Sequence, residues 1–330
     1  MISIIIPAYN AAETLPACLA ALKAQTLAAD EYEIIVIDDG STDQTARIAR
    51  RAGVRVARQA NAGAGAARNH GARLARGELL LFTDADCIPA SDWAACLAAS
   101  FTDPAIAGAK GVYRTCQPDM AARFVQLEYQ DRYDRMQGSE SIDFVDTYSA
   151  AYRRDLFLAM GGFDTHYPGA TVEDQEFSFR LAEAGHRLVF VPQAVVWHRH
   201  DRTVAEYARR KYQIGYWKAL VVRQHPDKLV RDSHTPQVIK LQMGLAAIGG
   251  GFLALGLLLN RRPAVTLGWL AWLGLLLSGL PLYKKIARQD PPVLLPAPLF
   301  IFVRAWALGL GFFLGNVRFR LANRPKPERL

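Results

Sequence analysis

The sequence has few cysteines, and those it has lie far apart. Four occur among 330 residues, at Cys18, Cys87, Cys96 and Cys116, with no Cys-x-x-Cys pair. This spacing predicts neither a disulfide framework nor a zinc site, and it fits a reducing compartment. The N-terminus also lacks a basic leader, and its apolar run ends at Pro7, too early for the core of a secretory signal. We therefore expect the first domain to stay in the cytosol.

Acidic residues are fewer than basic ones, with 31 Asp and Glu compared with 39 Lys and Arg. With 51% hydrophobic residues, the chain has apolar material for one or two packed domains, which excludes disordered and collagen-like proteins. The average hides a division between residues 1–237, which have a mixed α/β pattern, and residues 238–317, which carry very few charges. The basic excess lies beside the apolar block, so we expect contact with membrane lipids and no nucleic-acid partner.

Three apolar stretches predict membrane-spanning helices, at Ile239–Leu259, Ala264–Tyr283 and approximately Leu299–Val317. The first two have the length of about 20 residues that a hydrocarbon core requires. Their short linker, residues 260–263, predicts a tight antiparallel hairpin. Two buried helices of a soluble protein are the alternative, but each would need to be covered on all sides.

The third stretch is ambiguous because it contains Arg304, and an arginine inside a membrane is unfavourable unless it pairs or reaches the surface. Three spans would also place the basic tail opposite the N-terminal domain, against the usual cytosolic enrichment of Lys and Arg. A re-entrant or interfacial third helix would keep that tail inside. We expect two or three spans and slightly favour three.

Short apolar runs alternate with amphipathic stretches along residues 1–115. The pattern predicts strands at Ile2–Pro7, Glu33–Asp38, Val54–Arg58 and Glu78–Thr83, with helices at 12–27, 42–52 and 64–76. Such alternation predicts an α/β fold with an open, mainly parallel sheet. Sheets of this kind bind ligands at the carboxyl ends of their strands.

Polar motifs follow these strands. Asp38 and Asp39 leave the second strand, and Ser41 with Gln44 has capping-box spacing, so the two acids either bind a ligand or merely cap a helix. The glycine-rich loop at 61–71 brings Arg68 to a helix entry that suits phosphate. It does not match the dinucleotide fingerprint, which argues against an NAD-dependent enzyme.

Two further acidic pairs point to chemistry. Asp84 and Asp86, after the fourth strand, can jointly hold a divalent cation, with a plain surface turn as the alternative. Glu173 and Asp174 open a helical pattern. A carboxylate there can serve as general base for a hydroxyl, or the acids can simply favour the helix N-terminus.

Taken in order, these motifs resemble those of the family 2 inverting glycosyltransferases of GT-A fold, over approximately residues 1–200. They are Ile4-Ile5-Ile6-Pro7-Ala8-Tyr9-Asn10, Val36-Ile37-Asp38-Asp39-Gly40-Ser41-Thr42-Asp43, Asn61-x-Gly63 through Arg68-Asn69-x-Gly71, Asp84-x-Asp86, Gly161-Gly162-Phe163-Asp164 and Glu173-Asp174. One such motif is weak evidence, but six in this order are specific.

The resemblance implies a role for each residue. A nucleotide-diphosphate sugar would be bound by Pro7, Ala8, Tyr9, Glu13, Asp38, Asp39, Arg68 and Asp84. Asp84 and Asp86 would hold Mn²⁺ or Mg²⁺, and His198 would be a third ligand unless it is a surface or packing histidine. Asp174, beside Glu173, would deprotonate the acceptor hydroxyl in one inverting displacement.

The segment at 199–231 is rich in Lys and Arg. Ile214, Trp217 and Val221 fall at i, i+3 and i+7, which predicts a basic amphipathic helix either at lipid headgroups or packed on the domain. Residues 213–217 partly resemble a signature of processive polysaccharide synthases, but Tyr216 replaces its arginine. This departure favours transfer of a single sugar.

Together these features predict a GT-A catalytic domain at 1–200, basic interfacial helices at 201–237, a transmembrane region at 238–317 and a basic tail at 318–330. We expect a metal-dependent hexosyltransferase of the inner membrane, multi-pass, with its catalytic domain in the cytosol. It would move one sugar from a UDP- or GDP-sugar to a hydroxyl of a lipid-linked saccharide, in cell-envelope or exopolysaccharide synthesis. A polyprenyl-phosphate acceptor is the main alternative, and a catalytically silent membrane scaffold is another.

Overall fold

The computed structural model describes residues 1–167, 172–229 and 235–321, and the chain divides into two compact units. The first comprises Met1–Cys116 and Arg132–Arg199, and the second comprises Gln117–Asp131 and His200–Leu330. Residues 117–131 thus group with the C-terminal helices. Most of the predicted basic tail lies outside the described residues.

The elements have the following bounds. The strands are β1 (Ile2–Ala8), β2 (Tyr32–Asp38), β3 (Arg55–Arg58), β4 (Leu79–Phe82), β5 (Ile88–Pro89), β6 (Ile106–Arg114), β7 (Ala150–Arg153) and β8 (Arg187–Trp197). The helices are α1 (Leu15–Lys23), α2 (Thr45–Arg51), α3 (Ala64–Leu74), α4 (Trp93–Ala99), α5 (Met120–Met136), α6 (Arg154–Ala159), α7 (Glu173–Glu183), α8 (Val204–Gln224), α9 (Gln237–Leu258), α10 (Arg262–Leu277), α11 (Leu280–Gln289) and α12 (Ala297–Leu321).

The strands of the first unit form one mixed sheet in the order β3-β2-β1-β4-β7-β6-β8-β5. β1 lies parallel to both β2 and β4, whereas β7 is antiparallel to both β4 and β6. All four predicted strands are present, and the α/β class is confirmed. The parallel half carries the turns in which most of the predicted site residues lie.

β1 is the most deeply buried strand because helices or neighbouring chain cover both of its faces. Ile4, Ile5 and Ile6 are fully buried, which explains a continuous apolar run where a half-exposed strand would alternate. A cluster of aromatic rings joins β4, α6 and α7, with Phe157 and Phe163 5.1 Å apart between ring centroids. This cluster, which also includes Phe82, fixes the start of α7 against the strand that leads to Asp84.

The sequence predicts a capping box of Ser41 with Gln44 in the turn after β2, and this prediction is wrong. Ser41 does not cap a helix, because its Oγ accepts a hydrogen bond from the backbone N of Asn10 at 3.0 Å. Asp43 takes the place at the helix start, where its Oδ1 accepts from the backbone N of Thr45 at 2.9 Å. Helix α2 consequently begins three residues later than the pattern predicts.

In the second unit, α9 and α10 form the predicted hairpin. Asn260 between them adopts a left-handed φ of 49°. Gly249 and Gly268 place the two backbones in direct contact, since a side chain at either position would meet the opposite helix. The hairpin is therefore tightly packed along its length.

Two helices of the described chain are long and apolar enough to cross a membrane, α9 and α12, or three if α10 and α11 count as one bent span. The sequence places the irregularity in the third apolar stretch, but α12 is continuous. The break lies in the second stretch, where α10 and α11 meet at 43°. Pro281, in the first turn of α11, is the signal for this break, because proline has no N–H for the helix to continue through.

Arg304 on α12 is only 4% exposed, and it is paired. Its guanidinium contacts the carboxylate of Glu128 on α5 and donates to Gln242 Oε1 at 2.8 Å. The same carboxylate accepts from Lys211 Nζ at 2.9 Å and from the Tyr207 hydroxyl at 3.1 Å. Pairing is the condition under which a buried arginine is tolerated, and residues 117–131 supply the partner.

Helix α8 is present as predicted, but a different stripe of it is buried. The buried side is Tyr207, Lys211, Gly215, Ala219 and Val221, whereas Ile214 and Trp217 are only half-buried. The first four fall at i, i+4 spacing and face α12. The amphipathic pattern thus identifies the helix but not its main packing face.

Replacing Glu128 with Leu should destabilise the second unit, because Arg304 and Lys211 would lose the carboxylate they share. Removing one partner of a buried ion pair costs about 3–5 kcal/mol. Thermal unfolding of the detergent-solubilised protein measures the effect. Asp119→Leu is the control, since Asp119 lies 3.6 Å from an exposed Arg202 and should change the melting temperature little. Equal melting temperatures for the two variants would contradict the assignment.

Candidate active site

The turns that follow β1 and β2 are bonded to each other. Asn10 has a left-handed φ of 49°, and its Oδ1 accepts from the backbone N of Thr42 at 2.9 Å. In return, its own backbone N donates to Ser41 Oγ. The arrangement fixes the end of β1 and leaves the side chain of Tyr9 52% exposed.

The other residues predicted to bind the nucleotide from this region have different exposures. Pro7 and Ala8 are buried within β1. Glu13 is exposed, 3.5 Å from the guanidinium of Arg199. Tyr9 and Glu13 therefore present side chains to solvent, and the nucleotide contacts of all four residues stay predictions.

Asp39 fastens the glycine-rich loop to the end of β2. Its carboxylate accepts from the backbone N of Ala62 and of Gly63, both at 2.9 Å, and from Gln59 Nε2 at 2.8 Å. Gly40 follows with φ +79°, a conformation that disfavours any side chain, and it lies against the backbone of Asn61. Asp39 thus holds the loop that leads into α3.

Asp38 is fully buried. Its Oδ1 accepts from the backbone N of Ser41 at 3.0 Å, and its Oδ2 lies 3.1 Å from the Nε of Arg58. A contact with the base or ribose stays a prediction. In the structure Asp38 shapes the turn that positions Asp39.

Arg68 joins three elements. It is 1% exposed and lies on α3, where its guanidinium bonds Asp84 at 2.6 Å and Glu173 at 3.1 Å. Asp84 is in the turn after β4, and Glu173 is the first residue of α7. The guanidinium that the sequence assigns to the nucleotide is thus engaged between two carboxylates, and its role toward a nucleotide stays a prediction.

Asp174 lies beside this ion cluster, at the second residue of α7. Its carboxylate accepts from the backbone N of Gln175 at 2.8 Å and of Thr147 at 3.3 Å. Burial, reinforced by the negative charge of Glu173, raises the pKa of Asp174 to about 7, while Arg68 opposes the rise. A carboxyl group with such a pKa can exchange protons at neutral pH, as a general base must.

The glycines of the Gly161-Gly162-Phe163-Asp164 motif have a structural explanation. Asn69 on α3 donates from Nδ2 to the carbonyl of Phe163 at 2.7 Å, and its Oδ1 accepts from the backbone N of Phe163 at 2.9 Å. Gly162 has φ +68° and lies so close to Asn69 that a Cβ would collide with the amide. The pair of bonds clamps the segment before α7 to α3, next to Arg68.

Asp86 and His198 meet because β5 pairs antiparallel with the end of β8. Ile88 lies opposite Trp197 in this pairing, so the residues just before β5 and just after β8 are neighbours. His198 Nε2 lies 3.2 Å from Asp86 Oδ2, and the Tyr113 ring stacks on the imidazole with centroids 4.9 Å apart. The predicted third ligand is therefore adjacent to the predicted metal carboxylate.

The thiol of Cys87 belongs to the same group, whose ligand atoms all lie within 4.8 Å of one another. Burial, with the nearby carboxylates of Asp84 and Asp86, raises the pKa of Cys87 well above its ordinary value. A protonated thiol is a weaker ligand than a thiolate, so the raised pKa disfavours Cys87 relative to its two neighbours. The carboxylate of Asp86 and the imidazole of His198 thus form the core of a candidate site for a divalent cation.

Sequence reasoning missed a buried pair near Asp174. Lys110 on β6 contacts the carboxylate of Asp146, which also accepts from the Tyr148 hydroxyl at 2.7 Å. Burial, with the positive charge of Arg132, lowers the pKa of Lys110 well below its ordinary value. The signal was a lysine inside an otherwise apolar strand, since such a residue needs a buried partner.

Residues 3–161 match the family model described as glycosyl transferase family 2. The O-antigen chain rhamnosyltransferase RfbN of Salmonella typhimurium is 29% identical over 234 residues, which cover 66% of this chain and 72% of that protein. Glycosyltransferase AglE of Haloferax volcanii is 28% identical over 223 residues, covering 65% and 71% respectively. The matched part of the chain, residues 3–161, is a glycosyltransferase family 2 domain.

The chain also has the predicted GT-A architecture. A mannosyltransferase from Pyrobaculum calidifontis, PcManGT, solved in complex with GDP-Man and Mn²⁺, matches it with a TM-score of 0.57. The match covers 98% of this chain and 88% of that one at 21% sequence identity. At this identity the likeness establishes the fold, and the predicted fold and enzyme class are confirmed.

Arg68→Met should raise the pH at which this glycosyltransferase becomes active. The substitution removes a charge that lowers the pKa of Asp174, so less of that carboxyl is ionised at a given pH. The midpoint of kcat/KM against pH should move upward by about one unit or more. Arg68→Lys should restore part of the shift, and Arg73→Met, an exposed position on the same helix, should leave the midpoint unchanged. An unaltered midpoint in Arg68→Met would overturn this role.

Proposed function

We propose that this enzyme is an inverting glycosyltransferase that moves one sugar from a UDP- or GDP-sugar to a hydroxyl of a membrane-associated, lipid-linked saccharide. The observation that carries the proposal is the half-buried Asp174, whose pKa of about 7 fits a base for a hydroxyl acceptor. A sugar hydroxyl is a weak acid and gains from such a base, whereas an ionised phosphate acceptor does not need one. The product would serve cell-envelope or exopolysaccharide synthesis.

The donor would bind where the turns after β1, β2 and β4 meet the glycine-rich loop. Tyr9 and Glu13 present exposed side chains there, while Asp39 and Arg68 hold the surrounding backbone and acids in place. The mannosyltransferase of the same fold binds GDP-Man, and the Salmonella relative is named for transfer of rhamnose. These names support a nucleotide-sugar donor for this chain, with Pro7, Ala8, Asp38 and Asp84 among its contacts.

The cation would be held by Asp86 and His198, with Asp84 as the further carboxylate. A bound divalent cation would neutralise the charge that develops on the leaving nucleoside diphosphate. An imidazole beside a carboxylate favours Mn²⁺ over Mg²⁺, because Mg²⁺ prefers oxygen ligands alone. The mannosyltransferase of the same fold, solved with Mn²⁺, supports this choice.

The proton of the acceptor would pass to Asp174. The hydroxyl oxygen then attacks the anomeric carbon as the bond to the diphosphate breaks, which inverts the configuration in a single displacement. Glu173 would not take the proton, because it is paired with Arg68. Its charge instead helps to hold the pKa of Asp174 near neutrality.

We further propose that the enzyme resides in the inner membrane, multi-pass, with its catalytic unit in the cytosol. The apolar helices of the second unit support membrane attachment. Contact with membrane lipids would bring a lipid-linked acceptor to the enzyme. A soluble nucleotide sugar is available on the cytosolic side, where the free cysteines also remain reduced.

Asp86→Asn and His198→Gln should each weaken Mn²⁺ binding at least about tenfold, because each replaces a carboxylate or imidazole ligand with a neutral amide, which binds the cation more weakly. Titration of Mn²⁺ by electron paramagnetic resonance, in the presence of UDP or GDP, measures the affinity. His186→Gln replaces a histidine on a loop away from Asp86 and is the matched control. Unchanged affinity in both ligand variants would overturn the assigned site.

Asp174→Asn should lower kcat for a hydroxyl acceptor by about 10²–10⁴-fold, since the asparagine cannot accept the proton. The wild-type kcat/KM should rise as pH increases through about 7, where Asp174 loses its proton. The assay is nucleotide release from UDP- and GDP-sugars with Mn²⁺, by protein in nanodiscs, with and without bacterial lipid extract. Asp86→Ala serves as the inactive control.

The same assay separates the alternatives. Activity of Asp174→Asn that persists with a polyprenyl phosphate would favour transfer to that phosphate over a hydroxyl. No release from any donor, together with no rise in melting temperature on adding nucleotide sugar and Mn²⁺, would indicate a silent scaffold.

A further inference from the structure

Helices α8 and α12 lie side by side and run in the same direction over nearly their whole lengths. Tyr207 packs on Phe300 near their starts, with ring centroids 5.4 Å apart. Near their ends, Phe319 packs on Tyr216 and Trp217 with centroids 5.5 and 5.6 Å away. The ring contacts thus extend over about 29 Å of α12 and about 15 Å of α8. The Arg223 guanidinium, which contacts the carbonyl of Phe319, extends the contact along α8 to about 24 Å.

Glycines allow the backbones of α8 and α12 to pack closely. Gly311 and Gly315 on α12 lie directly against the backbone of α8, at Tyr212 and Tyr216, and Gly215 on α8 lies against Leu308. A side chain at any of the three glycines would collide with the opposite backbone. Small residues at such spacing allow two helices to pack closely, so α12 and α8 share one environment.

The outer side of α8 is too polar for hydrocarbon. The exposed residues on this helix include Glu206, Arg209, Arg210, Gln213 and Arg223. If α12 crossed a bilayer, α8 would lie beside it at the same depth and would carry these charges into the hydrocarbon. Charged side chains there are rare and face a protein interior or water.

The exposed side of α12 suits a helix that lies at the membrane surface and does not cross the bilayer. Its second half presents an apolar stripe made of Leu310, Phe313, Leu314, Val317 and Leu321. Arg318 and Arg320 flank this stripe and are also exposed. An apolar stripe flanked by basic residues is typical of a helix that lies in the plane of the interface.

The hairpin of α9 and α10 has the dimensions of a bilayer. At one end, Gln242 Nε2 donates to Ser278 Oγ at 2.9 Å, and Gln242 also bonds Arg304. At the other end stand Arg261 and Arg262, both exposed. From Gln242 to Leu259 the helix rises about 26 Å, close to the hydrocarbon thickness of about 30 Å.

Between these polar ends the hairpin exposes large apolar side chains. They include Ile248, Phe252, Leu255, Leu257, Leu258, Leu267, Trp269, Leu270 and Leu273. At the level of Ser278 the chain bends into α11, where Lys284 and Arg288 are exposed. The polar end of the hairpin and the basic side of α11 therefore follow each other along the chain.

We propose that only the α9–α10 hairpin crosses the bilayer, and that α8 and α12 lie together at the headgroup level of the side from which the hairpin enters. The chain then crosses twice. The C-terminal end of α12, with Arg318 and Arg320, lies on the same side as α8. The turn between α9 and α10, with Arg261 and the first residue of α10, Arg262, reaches the opposite surface. The basic residues of α8, α11 and α12 face anionic headgroups on one side.

Cysteine labelling tests this topology in the full-length protein. One cysteine at a time replaces Arg209 on α8, Arg262 at the start of α10 or Arg320 on α12, in a chain with Cys96→Ser and Cys116→Ser that keeps the buried Cys18 and Cys87. A membrane-impermeant maleimide is applied to intact spheroplasts and to sealed inverted vesicles of a bacterial host. Labelling after detergent treatment measures the total reactive thiol at each position.

Positions 209 and 320 should be labelled from the same side, and position 262 from the opposite side. Labelling of position 320 from the side opposite 209, or only after detergent, would show that α12 enters or crosses the bilayer and would overturn the proposal. Labelling of position 262 from the side of 209 would overturn the crossing of the hairpin. Two fusions after Leu330, one to a fluorescent protein and one to alkaline phosphatase, report the side of the membrane on which the C-terminus lies. They need no internal substitution.

Discussion

The candidate active site of the first unit depends on the burial of one guanidinium. Arg68 lies almost without exposure, and a cation in such a position costs several kcal/mol unless carboxylates surround it. Asp84 and Glu173 provide them from the turn after β4 and from the start of α7. The need to pair this charge therefore fixes three elements, which are distant in sequence, around one point. Asp174 is held at that point because it follows Glu173 directly.

The same cluster sets the chemistry of Asp174. Burial and the charge of Glu173 favour its protonated form, whereas Arg68 favours the ionised form, and the balance leaves the pKa near neutrality. Because this pKa lies above that of an unfolded aspartate, Asp174 binds its proton more tightly when folded. Its contribution to stability is therefore present below about pH 4 and is lost as pH rises to about 7. The clamp between Asn69 and Phe163 and the aromatic cluster beneath α7 hold the site despite this cost.

How much could be predicted from the sequence depends on whether the interacting residues are close together or far apart along the chain. The strands were predictable because β1 and β2 are covered on both faces, so that continuous apolar runs record their burial. Asp86 and His198 could be named as candidates, but their contact depends on the pairing of β5 with β8, which no local pattern encodes. The start of α2 was misplaced because the Ser41 hydroxyl bonds Asn10, which is 31 residues away. The engagement of Arg68 by Glu173, 105 residues away, is invisible to spacing for the same reason.

The second unit illustrates why composition alone misleads in apolar segments. Arg304 makes the third stretch look unsuited to a regular helix, yet α12 is continuous because Glu128, from a segment 176 residues earlier, pairs with the arginine. Conversely, α12 is apolar enough to be taken for a membrane span, although a helix with several exposed charges lies along it. The mean hydropathy of a helix depends only on its own residues. Whether the helix lies in water, at headgroups or in hydrocarbon depends also on the elements packed against it. Where close glycine contacts bind two helices together, the more polar of the pair sets the environment that both can occupy.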